Sequence, residues 1–225
     1  MEALRRAVTK VADALVQRYG RPRSDVYEPP LDALVRTVLS QHTSDRNSDR
    51  AFERLRAKFS RWDQVREAPL RAIESAVRCA GLWRQKARRI RAILRVVHRT
   101  FGRAGLRALN RLSNEEAARA LRSLPGVGAK TAACVLLFGF RRDVFPVDTH
   151  IHRICRRLGW VPSRSTAEEA AELMQPLVPR GRSLELHIAM IRHGREICRA
   201  RRPRCDECCV RVDCAYAWAS EGLGR

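Results

Sequence analysis

The chain has 225 residues, enough for one domain or two small ones with a proper core. Its 45 basic against 24 acidic residues leave a formal net charge of +21 and an isoelectric point near 11.2. Solubility needs no such excess, so the expected partner is a polyanion, with DNA or RNA ahead of an anionic membrane. The longest apolar run, residues 132–140, is too short to span a bilayer, and no membrane partner is expected.

The N-terminal pattern, residues 1–20, is amphipathic and studded with arginine, without the apolar stretch of a signal peptide. Helical periodicity continues from there and strand alternation is missing, so the fold class reads as all-α with many short helices. In chain order the expected helices cover residues 4–19, 31–42, 45–59, 83–101, 115–124, 130–140, 149–158, 167–177 and 183–198. Pro and Gly punctuate the joins, at Pro22, Pro29-Pro30, Pro125-Gly126 and Pro179 to Gly181. Within 83–101, Ile90, Ile93, Leu94 and Val97 form one apolar stripe, and the same stretch carries seven Arg or Lys and no acid. Its outer face suits phosphate contacts or plain solvation about equally. Ser113 and Glu116 have the spacing of a capping box.

Lysine occurs only at Lys10, Lys58, Lys86 and Lys130, leaving 45 − 4 = 41 arginines. Guanidinium stays protonated and cannot be a nucleophile, so any amine chemistry falls to those four side chains or the chain's own N-terminus. Lys130 belongs to the first constellation, Leu124-Pro125-Gly126-Val127-Gly128-Ala129-Lys130-Thr131-Ala132. There one helix ends, two glycines turn the chain and a second helix begins. Glycines let backbone N–H groups approach something large, and the new helix N-terminus attracts a phosphate oxygen. This is a helix-hairpin-helix pattern, a sequence-independent grip on a DNA backbone. Lys130 in the first turn of the second helix is either a phosphate contact or a nucleophile. The scarcity of lysine favours the second, since an arginine could have served the first.

The second constellation is Val147-Asp148-Thr149-His150. Asp148 reads as an N-cap, and a cap fixes a carboxylate that can stabilise a sugar cation or shuttle a proton. His150 and His152 read as structural. The third is Cys198-x6-Cys205-x2-Cys208-x5-Cys214, four thiols within 17 residues and so a metal site, either zinc or a [4Fe–4S] cluster on chemistry alone. Arg199, Arg201, Arg202 and Arg204 crowd its first loop, so the site looks like a staple for a basic segment. Cys209 reads as a spare thiol, and Cys79, Cys134 and Cys155 as buried apolar residues. The thiols and the absent leader suggest a cytoplasmic, reducing compartment, near the nucleoid if the partner is DNA.

In order and separation these three constellations resemble the endonuclease III family over nearly the whole chain. The resemblance implies two helical lobes: residues 25–141 with the hairpin, and residues 1–24 plus 142–225 with a [4Fe–4S] cluster on Cys198, Cys205, Cys208 and Cys214. It implies a base-excision repair DNA glycosylase with AP-lyase activity. Lys130 would attack C1′ of a flipped nucleotide, aided by Asp148 on the facing wall of a cleft, and the Schiff base would permit strand nicking by β-elimination. Oxidised pyrimidines are the family substrates, so the partner would be double-stranded DNA with a damaged base or abasic site. A monomer is expected, because one lesion needs one cleft. Besides Leu124, Gly126, Val127 and Gly128, the DNA-binding residues implied are Leu82 as a wedge and Gln41 and His42 in the gap-filling segment 39–45. His42 stands where the family often has Gln. The rivals are a monofunctional adenine or thymine mismatch glycosylase, which typically lacks the lysine, and a non-catalytic zinc-containing DNA-binding protein. The adenine enzyme also carries a further C-terminal domain, against which the end at Arg225 is read.

Overall fold

A computed structural model describes residues 1–23 and 26–220. Among them are twelve α-helices and no strand. The chain divides into two compact units, Tyr27–Arg142 and the pair Met1–Val26 with Asp143–Arg225. The lobe boundary expected at Asp25, and the terminus at Arg225, lie outside the described residues.

The continuous unit begins with α2 (Pro30–Ser40), whose first residue is a proline where no intrahelical N–H is needed. After α3 (Asp45–Lys58) come two short helices, α4 (Trp62–Glu67) and α5 (Leu70–Ala76), which periodicity over so few residues does not announce. The long α6 (Trp83–Phe101) follows its expected span from end to end. Ile90, Ile93, Leu94 and Val97 are all buried on its inner face, each burial contributing roughly 1.5–3 kcal/mol. A 3₁₀ stretch (Gly102–Arg111) leads to α7 (Asn114–Arg122), which starts with the expected capping box between Ser113 and Glu116. Then α8 (Ala129–Cys134) loosens into a π-turn at Val135–Gly139, where one helix over 130–140 was expected. Leu34, Val38 and Leu39 of α2 supply the centre, packed against α3, α8 and the π-turn.

The second unit packs α1 (Glu2–Tyr19) on α11 (Ser183–Glu196), and α9 (Thr149–Leu158) on α10 (Ala167–Met174), α11 and the short α12 (Ala215–Ser220). Val11, Leu15, Ile151, Leu186 and Met190 are fully buried in its core. Four expected helices end two or three residues early, at Ser40, Arg122, Met174 and Glu196, and Cys79 is only partly buried where a core residue was expected. Among the described residues no helix is long and apolar enough to cross a membrane.

Candidate functional site

The hairpin of the continuous unit is made by residues 123–128. Leu124 and Val127 are 3% and 6% exposed and plug the turn into the core, so their side chains are unavailable to a ligand. The turn reaches solvent at exposed Ser123, Pro125, Gly126 and Gly128, where backbone is accessible at the two glycines. Gly126 has φ 71°, which favours glycine, and a Cβ there would lie 2.3 Å from Nε of Arg89, so a methyl group would displace that side chain. The first N–H groups of α8 have no intrahelical partner, and Lys130 projects from this end into solvent.

Beside the hairpin, the turn after α2 and the residues before α6 form one assembly. His42 and Leu82 both lie in the left-handed region, at φ 48° and 56°, which costs a non-glycine residue on the order of 1 kcal/mol or more. Both are exposed, Leu82 by 57%. A Cβ on Gly81 would meet the His42 carbonyl oxygen at 2.4 Å, so glycine is what lets the two segments touch. The Gly81 N–H donates to Thr43 Oγ1 at 3.0 Å, tying one to the other. Gln41 is held at both ends of its amide: Oε1 accepts from Arg89 Nη1 at 2.8 Å, and Nε2 donates to Thr131 Oγ1 at 3.3 Å.

Sequence reasoning missed the group beneath this assembly. Lys86, counted only among the seven basic residues of α6, is 2% exposed. Its Nζ donates to the Leu39 carbonyl at 2.7 Å and to Thr43 Oγ1. Burial, followed by the nearby Arg89 guanidinium, lowers its pKa to about 8. The signal was present, since Lys86 precedes Ile90 by four residues and so continues the buried stripe.

In the second unit Asp148 is the N-cap of α9, accepting the Ile151 N–H on Oδ1 at 2.8 Å. The segment before it is anchored twice: Gln175 Oε1 accepts the Phe145 N–H at 2.8 Å, and buried His187 lies with Nδ1 2.9 Å from the Pro146 carbonyl. His187 carried no sequence signal. His150 Nδ1 lies 3.1 Å from Arg153 Nη2, and Arg153 in turn holds the Gly194 and Cys198 carbonyls. Both contacts fit the structural reading of His150.

Cys198, Cys205, Cys208 and Cys214 line one small pocket, together with Arg157 and Tyr216, while Cys209 is exposed and outside it. Arg157 Nη1 donates to Cys198 Sγ at 3.2 Å and also to the Arg199 carbonyl. Cys208 Sγ lies 3.5 Å from His193 Nε2, and His193 Nδ1 lies 3.0 Å from the Tyr19 hydroxyl. Burial pushes the Cys208 thiol up to about 11, and burial with the neighbouring sulfurs of Cys214 and Cys198 raises Cys205. Among the described residues no three Cys, His, Asp or Glu close on a point that would hold a single ion. Four soft sulfur donors lining one pocket fit the chemistry of an iron–sulfur group, as they would that of a tetrahedral zinc.

Residues 35–180 match the model of the HhH-GPD superfamily base excision DNA repair proteins. The chain belongs to that superfamily, and within it is endonuclease III-like, a DNA glycosylase. Endonuclease III of Thermotoga maritima is 34% identical over 93% of this chain and 92% of its own length. That of Sulfolobus acidocaldarius is 33% identical over 81% and 80%. An Arabidopsis thaliana protein named as a DNA glycosylase is 40% identical over 75% of this chain, and the match spans 57% of that protein. Among solved structures, a trapped endonuclease III–DNA covalent intermediate superposes with a TM-score of 0.82 at 26% identity, covering 96% of this chain and 98% of that one.

Proposed function

We propose that this protein is a bifunctional base-excision enzyme that acts on double-stranded DNA, removing an oxidised pyrimidine and then cutting at the abasic site. The observation that carries the reading is Lys130, a solvent-facing primary amine at the amino end of the hairpin's second helix in a chain otherwise dominated by arginine.

In this reading the amides around Gly126 and Gly128 grip a phosphate. Leu82 enters the stack beside a flipped nucleotide, and His42 addresses the base left opposite. Gln41, engaged by Arg89 and Thr131, braces that segment more than it reads. The lone pair of Lys130 attacks C1′, the N-glycosidic bond breaks, and the base leaves with a proton. The amine loses its own proton to a general base, for which Asp148 is the candidate, and the same carboxylate opposes positive charge developing on the sugar. Ring opening gives an iminium that acidifies C2′, and loss of that proton expels the 3′ phosphate. Cys198, Cys205, Cys208 and Cys214 would hold a [4Fe–4S] cluster, which when bound supplies the iron–thiolate bonds that staple the arginine-rich segment 199–204.

The test is borohydride trapping on a duplex with one thymine glycol and on an abasic-site duplex, run with wild type and Lys130→Ala. An adduct with wild type that is lost in the variant supports the reading. An adduct on the abasic duplex alone keeps the lyase and removes thymine glycol as substrate. No adduct on either DNA, from protein with its full iron content, overturns the bifunctional mechanism.

A further inference from the structure

We infer that Lys86 is a positioning residue that sets the two DNA-probing segments, at His42 and at Leu82, as one unit. The inference rests on the reading that these segments contact DNA and goes beyond it by naming what holds them.

The argument starts from the Thr43 hydroxyl. A hydroxyl has one hydrogen to give and two lone pairs to receive with. Here it donates to the Gln41 carbonyl at 3.1 Å, accepts the Gly81 N–H at 3.0 Å, and accepts from Lys86 Nζ. All three capacities are used, and the three partners come from the turn after α2, the segment before α6, and α6 itself. Lys86 adds a second anchor at the Leu39 carbonyl, at the last turn of α2. The turn from Leu39 to Thr43 is therefore pinned at both of its ends by one ammonium group, and Gly81 is pinned through the hydroxyl between them.

Both of these segments carry strained backbone, as do Arg141 and Arg202 elsewhere. His42 lies between the two anchored residues, and Leu82 is next to Gly81. A left-handed conformation at a non-glycine residue persists only where its surroundings over-determine it. Because the same group fixes both, a relaxation at one should be felt at the other. Burying an ammonium is unfavourable unless its donors are satisfied, and a methylene stem with a compact head reaches this space where a planar guanidinium fork would not. That accounts for a lysine on a helix whose six other basic residues are arginines.

The test uses the full-length, iron-loaded protein and a duplex with a stable abasic-site analogue opposite 2-aminopurine. Fluorescence then reports entry of protein side chains into the helix without needing any chemistry at Lys130. Leu82→Ala and His42→Ala should each weaken the fluorescence response, and Lys86→Met should weaken it about tenfold. Combining Lys86→Met with Leu82→Ala should be no worse than the worse single change, because the first acts through the second. Thr43→Val removes the shared hydroxyl but leaves the lysine, and should give the same pattern if Lys86→Met folds poorly. A full response from Lys86→Met or Thr43→Val beside a lost response from Leu82→Ala overturns the inference, as does a double variant in which the losses multiply. Undiminished responses from Leu82→Ala and His42→Ala would overturn the reading of the loops themselves, and with it the inference.

Discussion

The two units fix their exposed chemistry by different means. In the hairpin unit, hydrogen bonds from α6 side chains hold turns whose working residues, His42 and Leu82, are exposed and strained. In the other unit, Asp148 has an ordinary capping conformation and is steadied from behind by Gln175 and His187, while the cysteine segment folds around a pocket, with Val210 buried in the core and Cys198, Cys208 and Cys214 packed against it. The first arrangement depends on a few polar side chains, the second on backbone anchors and on whatever joins four sulfurs. Each should therefore fail in its own way.

The largest contrast should come from the two proposed reacting groups. Lys130→Ala should remove the trapped adduct by at least about 10³-fold, since an attacking atom is lost outright. Asp148→Asn keeps a side chain that caps a helix, so it should lower single-turnover excision by roughly 10²-fold with little change in melting temperature. Equal losses in both variants would mean that the carboxylate has no role separable from the lysine.

Next in size is the cysteine segment. Removing the proposed cluster's iron with a chelator, or Cys208→Ser, should speed tryptic cleavage at Arg199, Arg201 or Arg204 by about tenfold or more, because that loop would lose the bonds that hold it closed. The hairpin unit's cleavage pattern should stay as it was, and an equal acceleration there would erase the contrast.

Gly126→Ala should cost about 1–3 kcal/mol in denaturant unfolding, from its positive φ and the contact with Arg89. Gly128→Ala, at an extended position with nothing near its Cβ, should cost much less, and equal costs would remove both the positive φ and the Arg89 contact from the account.

The smallest effect is the titration of Lys86. Its folded pKa, about 8, lies below its ordinary value of 10.5 because of burial and then Arg89. Between those values the unfolded chain binds more protons than the folded one, so stability should rise with pH across that window. Thermal melts of wild type should show this increment over Lys86→Met, and parallel profiles would mean the ammonium is solvated after all.

Much of this was legible in the sequence wherever a local rule decides structure. The spans of α6 and α9, the capping box at Ser113, the cap at Asp148 and the turn at Gly126 each depend on residues within a few positions of one another. Composition announced a polyanion partner, and motif order announced a family that the comparisons then showed. The helices α4 and α5 stayed hidden because six or seven residues carry too little periodicity and their stability comes from packing. The burial of Leu124 and Val127, the partial exposure of Cys79 and the anchoring by His187 and Gln175 depend on partners that sequence spacing does not name.

Lys86 marks the line between the two. The sequence by itself determined that it was a rare lysine on the apolar register of a basic helix. Only the tertiary structure decided that its ammonium goes inward, because a buried charge is tolerable just where acceptors converge, and Leu39 and Thr43 reach it from 47 and 43 residues away.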